Sequence, residues 1–154
     1  IRTKKHNWNW RPKGKVTVYV SAKSLSDLTV SGSGHMVVNG EVNADHLNTT
    51  LSGSGSIALT ADAGEFEATI SGSGNITVKG RADKAKIQIS GSGDFNGKSL
   101  KTSAADVNIS GSGNVSIIAD KTLYAKVSGS GNITYGGNPK VSQSKSGSGN
   151  ISRF

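Results

Sequence analysis

The chain has 154 residues, of which 33% are apolar and 21 are glycine, with no cysteine and a formal net charge of +8. That length suits one domain, but so little apolar content under-supplies a globular core and favours a narrow interior closed by stacking. The missing cysteines exclude a disulfide framework and a thiolate metal site, and no apolar run approaches the roughly 18 residues that a membrane-spanning helix needs.

Positive charge is concentrated at the start. Arg2, Lys4, Lys5, Arg11, Lys13, Lys15 and Lys23 precede the first acid, Asp27, so this stretch carries +7 and the remainder +1. The high pI therefore belongs to an arm over residues 1–23 and does not argue for specific nucleic-acid binding. Ile1-Arg2-Thr3 opens in the manner of a strand interior, without an initiator Met or a signal-like start. It reads as the start of a fragment, with any targeting segment upstream.

Residues 4–15 are rich in Asn, Pro and Gly and read as a loop, whereas Val16-Thr17-Val18-Tyr19-Val20 alternates β-branched and polar residues and predicts a strand. Both tryptophans of the chain, Trp8 and Trp10, lie in that loop and share a face if it is extended. With Lys4, Lys5, Arg11 and Lys13 around them they are candidate ligand-binding residues, since indoles stack on sugars or bases and the cations pair with anions. The competing reading is that they cover the open end or flank of the fold.

From Ser24 to the end the chain repeats. Ser-Gly-Ser-Gly starts at Ser31, Ser52, Ser71, Ser90, Ser110, Ser128 and Ser146, a period of about 20 residues that signals a solenoid or another repeat array. Five residues after each start stand Met36, Ile57, Ile76, Phe95, Val115, Ile133 and Ile151; one before stand Val30, Leu51, Ile70, Ile89, Ile109, Val127 and Lys145. Further apolar or small residues follow two positions beyond, among them Leu59, Val78, Ile87 and Ala125. All these offsets are odd, which is the mark of strands with one buried face.

The same parity points both glycines of each tetrad inward and both serines outward. Gly32 and Gly34, Gly53 and Gly55, Gly72 and Gly74, Gly91 and Gly93, Gly111 and Gly113, Gly129 and Gly131, and Gly147 and Gly149 are thus expected to be structural corners between strands. Hairpins also use Gly-rich turns, but they need not keep one register and one set of apolar columns seven times over. Polar turns are expected between the strands, at Val38–Glu41, Thr60–Gly64, Lys79–Asp83, Asn96–Lys98 and Ile118–Lys121. In the last coil Gln143, Lys145 and Arg153 replace apolar residues and Pro139 stands nearby, a polar cap that discourages edge-to-edge pairing, with Phe154 as a plug.

Catalytic chemistry finds little support. The ten acids fall mostly once per coil beside Lys or at turn-starting positions, which suits Asx-turns better than a catalytic dyad. His6, His35 and His46 occupy different coil positions, so no metal site and no cofactor is expected. Gly-x-Gly corners followed by strands do not make a phosphate loop, and no nine-residue calcium repeat is present. The outward serines and the column His35, Ser56, Asn75, Asp94, Asn114, Asn132, Asn150 would form polar ladders, stabilising the corners or presenting a regular carbohydrate- or ice-contacting face.

The repeated Gly-Ser-Gly-Asn-Ile corners, the Ala-Asp turns at Ala44-Asp45, Ala82-Asp83 and Ala119-Asp120, and Asn7-Trp8-Asn9-Trp10 resemble the head GIN domain family of putative auto-transporter adhesins. Ser33-Gly34-His35-Met36 and Ser92-Gly93-Asp94-Phe95 depart from that pattern. The resemblance covers essentially the whole chain. It implies an all-β, right-handed, single-stranded parallel β-helix of about seven coils over 1–154, in an envelope or secreted protein, often a lipoprotein anchored upstream. The expected function is that of a non-enzymatic structural or adhesive module with cell-surface glycans or envelope proteins as partners. A module that binds an anionic glycan or other polyanion through the basic arm is the alternative, and a polysaccharide lyase or hydrolase a distant third.

Overall fold

The computed structural model describes residues 17–154. Alternation without helical spacing makes strands almost throughout: β1 (Asp27–Gly32), β2 (His35–Gly53), β3 (Ser56–Gly72), β4 (Asn75–Gly91), β5 (Asp94–Gly111), β6 (Asn114–Gly129), β7 (Asn132–Gly136), β8 (Lys140–Ser146) and β9 (Asn150–Arg153). Each successive pair from β1 to β7 is parallel and hydrogen-bonded; β8 lies on the second half of β6, and β9 on β7. This is a parallel β-solenoid of about seven turns, without helix among the described residues.

The long strands β2 to β6 run 16 to 19 residues each, most of a coil, and break only at the second Ser-Gly of each tetrad. Here the structure differs from the turns expected along the sequence. Thr60–Ala63 and Lys79–Ala82 remain in the ladder, paired residue for residue. Extra residues are confined to a few register shifts, at Val37/Glu41 between β2 and β3, at Thr77/Lys79 between β4 and β5, and at Gly97/Lys101 and Thr102/Ala104 between β5 and β6. A bulge inserts residues without disturbing the pairing on either side, so the uneven tetrad spacing is absorbed locally.

The first glycine of all seven tetrads has positive φ, as at Gly72 with φ 122°. A Cβ on Gly72 would also sit 2.5 Å from the Gly53 carbonyl oxygen, one coil back. Gly74 is excluded from bearing a side chain for a different reason: its Cβ would meet the Gly55 carbonyl oxygen and Leu51 Cδ2, both at 2.6 Å. Glycine is required there by backbone angle at one position and by close approach of coils at the other.

Inside, each coil contributes stacked columns. Ile57, Leu59, Ala61, Ala63, Phe66, Ala68 and Ile70 of one coil are all buried, and Ile76, Val78, Ile87 and Ile89 continue them in the next. Phe66 and Phe95 meet across the interior with ring centroids 6.1 Å apart, a separation at which tilted rings attract. Two polar side chains also lie in the core. Thr49 donates its hydroxyl to the Glu67 carbonyl at 3.1 Å, and Thr102 donates to the Ile118 carbonyl at 2.7 Å, which removes the cost of burying each hydroxyl.

At the C-terminal end β8 is exposed along nearly its whole length, so Gln143 and Lys145 stand where earlier coils place core residues. Phe154 is no plug. It lies half-exposed against Gly136, with Lys98 Nζ 5.6 Å from the ring centroid. At the other end Thr17–Val20 forms no strand, contrary to its alternation: Val18, Tyr19 and Val20 are exposed and unpaired.

Candidate functional site

The residues singled out for ligand contact, Trp8, Trp10, Lys4, Lys5, Arg11 and Lys13, lie outside the described residues. Within 17–154 the surface chemistry is organised instead by the register of the ladder. Side chains at equivalent coil positions stack about 4.8 Å apart, so each outward column becomes a row in which neighbours one coil apart in space are about 19 residues apart in sequence.

One row is a hydrogen-bonded ladder. Asn132 Nδ2 donates to Asn114 Oδ1 at 2.9 Å, and Asn114 Nδ2 donates to Asp94 Oδ1 at 2.8 Å. Asn114 and Asn150 also donate their backbone N–H to the side-chain oxygens of Asp94 and Asn132. Further along the same column His35 Nδ1 and Ser56 Oγ share a hydrogen bond of 2.8 Å. These contacts form a polar ladder along part of the column. A second row carries charge: Lys86 Nζ lies 2.9 Å from Glu67 Oε1, and the hydrogen bond from that pair raises the lysine's pKa above its ordinary value.

A cleft of about 870 Å³ crosses five coils, broad and open to solvent. Between its walls run Ala44, Ala63, Ala82 and Thr102, the last three of them buried. One wall is Asn43, Asp62, Arg81 and Lys101; the other is Asp45, Gly64, Asp83, Ser103 and Asp120. The register explains the first wall. Asn43 pairs with Asp62, Asp62 with Arg81, and Arg81 with Lys101, so one column lines one side. Alanines in the next column leave room between the walls.

Arg81 and Asp62 form the strongest pairing in the cleft, with both guanidinium Nε and Nη2 donating to the carboxylate; the Nε bond is 2.8 Å. Hydrogen bonds from Arg81 hold the Asp62 carboxyl below the usual aspartate range, against the opposing effect of partial desolvation and with help from the guanidinium charge. The same hydrogen bonds raise the pKa of Arg81. Asp62 was expected to serve an Asx-turn; it is a cross-coil ion-pair partner. The Ala-Asp steps at Ala44-Asp45, Ala82-Asp83 and Ala119-Asp120 were visible as motifs, but their convergence on one cleft required the register. Among the described residues no group of three His, Asp or Glu side chains is placed to hold a metal ion.

A parallel β-solenoid with stacked polar rows and a long open cleft defines a class of repeat proteins that present extended surfaces. The chain belongs to the family described as putative auto-transporter adhesin, head GIN domain, whose model matches residues 1–139. Among solved structures it is similar to a putative lipid binding protein from Parabacteroides distasonis, with 32% identity and a TM-score of 0.80 over 83% of this chain and 52% of that one. A putative adhesin from the same organism gives 26% identity and a TM-score of 0.76, over 84% of this chain and 61% of that one. A putative adhesin from Bacteroides fragilis gives 25% and 0.77, again over 84% and 61%. The chain thus spans about half to three fifths of the length of these structures. No curated protein matches it. No helix among the described residues is long and apolar enough to cross a membrane.

Proposed function

We propose that this chain is a non-enzymatic adhesive module that works outside the cytoplasm, in the cell envelope or as part of a secreted protein, and that the five-coil cleft is its contact surface. The observation that carries the reading is the cleft's form: long, shallow and open, with walls supplied one residue per coil. Such a surface suits an extended ligand running along the solenoid axis, such as a surface glycan. Family membership supports the adhesive part of the proposal. The lipid named for one similar structure has no evident place in the cleft, because its walls are polar and Ala63, Ala82 and Thr102 between them are buried.

The test uses the chain on a glycan array and in a product-release assay with the same polysaccharides. Retention without cleavage is expected, and Asp83→Ala with Lys101→Ala should remove it while leaving the melting temperature within a few degrees, since both side chains are exposed. Cleavage that disappears on replacing Asp83 would overturn the non-enzymatic reading. Retention unchanged in the double variant would move the contact surface elsewhere.

A further inference from the structure

The chain contains two Asn-Gly steps, Asn39-Gly40 and Asn96-Gly97, and the solenoid treats them oppositely. Asparagine before glycine is open to attack by its own backbone, because no Cβ shields the amide nitrogen that follows the side chain. Every other asparagine of the coils precedes a residue with a side chain, in most cases a β-branched one such as Ile76 or Val115, which crowds that nitrogen.

Attack requires the carboxamide and the next amide to rotate toward one another, away from the extended backbone that a ladder imposes. Asn96 and Gly97 are held in the ladder. Asn96 pairs with Thr77 on one side and Ser116 on the other, and Gly97 pairs with Ile117. Gly97 is also buried, and a Cβ there would lie 2.7 Å from Phe95 Cε1 and 3.1 Å from the Ser116 carbonyl oxygen. Asn96 Oδ1 accepts the Lys98 N–H at 3.3 Å, an Asx-turn contact that fixes the carboxamide. Asn39 and Gly40 lack these restraints. They fall in the register shift between Val37 and Glu41, so neither is matched to a residue of β3, and β1 pairs with β2 only from Asn48 to Gly53. Both are exposed, and a Cβ on Gly40 would meet nothing within 4 Å. Rotation there opens no rung among the described residues.

We propose that Asn39 is a site of spontaneous deamidation and that the ladder protects Asn96 from the same reaction. The Gly40 backbone nitrogen loses its proton and bonds to Asn39 Cγ; the Cγ–Nδ2 bond breaks, and ammonia leaves with that proton. The cyclic imide then takes up one water, which opens it at either carbonyl to give aspartate or isoaspartate. Isoaspartate lengthens the backbone by one carbon, which a strand in strict register could not hold but a segment already carrying extra residues can. Either product places a carboxylate two residues from Glu41 and four from Asn43 of the cleft wall, so this rim of the cleft gains negative charge as the chain ages. The reaction does not depend on the adhesive reading.

Incubation of the chain in mildly alkaline buffer, followed by tryptic digestion and fragment-ion mass spectrometry, reads the rate at each step. In the folded chain a gain of one mass unit should accumulate at Asn39 at least about tenfold faster than at Asn96, since the ladder must open before Asn96 can react. In urea, where the solenoid restrains neither step, the two rates should converge. The rate at Asn39 should rise with pH, because the attacking nitrogen is deprotonated. The aged chain should melt within a few degrees of the fresh one. Equal rates in the folded chain, or an Asn39 that reacts in urea but not when folded, would overturn the proposal. Cooperative melting lost on ageing would place residues 39 and 40 within the ladder and overturn it as well.

Discussion

Ile76 and Thr77 are adjacent in the chain and face opposite ways, one wholly buried and the other partly exposed. Ile76→Asp puts a charge among apolar columns without a partner and should abolish folding, since burying an unpaired carboxylate costs several kcal/mol in a protein of ordinary stability. Thr77→Asp should leave cooperative unfolding intact with a small shift in midpoint. Urea denaturation of the two variants checks this; equal midpoints would contradict the inward column. This much was legible in the sequence because apolar residues keep odd offsets from a tetrad that never changes. Thr49 was not legible. It occupies the inward column of Leu28 and Ile87, and only the geometry shows its hydroxyl donating to the Glu67 carbonyl.

The Asp62–Arg81 pair belongs to the same scale and gives a pH signature. Because the folded-state pKa of Asp62 is depressed, its contribution to stability is present above the unfolded value of about 3.9 and is lost as pH falls through the folded value. Asp62→Asn should therefore lower the urea midpoint at pH 7 and lose that difference near pH 2. A gap that persists in acid would mean that the pair contributes through packing alone.

At the level of the coil, what the tetrad fixes and what it does not become distinct. Strands flanking the tetrad could be placed from sequence, but the third side of the coil could not. There Ala61, Ala63, Phe66 and their neighbours form core columns, yet alanine and glycine give a weak apolar signal and the register shifts displace the count from one coil to the next. The shift in β2 isolates Val38–Gly40, which adds two residues relative to the next coil. Gly40 has positive φ and open space around it. Deleting Asn39 and Gly40 keeps the period-two parity and gives this coil the 19-residue spacing of the next two. Loop shortening of this kind changes stability little, so the melting temperature should move by no more than a few degrees. Loss of cooperative melting would place those residues within the ladder.

Across the whole molecule charge is segregated: seven of the 18 basic residues and none of the 10 acids precede Asp27, while the coils pair their charges row against row, as in Arg81 with Asp62 and Lys86 with Glu67. A polyanion approaching this chain is therefore drawn to the N-terminal end. Contact through Arg11, Lys13 and Lys15 would neutralise three charges and give a logarithmic salt slope of roughly −2 to −3. Heparin-like chains should bind at low salt and dissociate steeply as salt rises, and Arg11→Ser, Lys13→Ser, Lys15→Ser should abolish the binding without lowering the melting temperature. Trp8→Ala with Trp10→Ala should only weaken retention of a polyanion and leave its salt slope unchanged, because the cations carry that contact. Measured together by heparin retention and thermal melting, the two variants separate a charged corner from an aromatic sugar platform. A tryptophan pair that removes retention at unchanged stability would restore the platform.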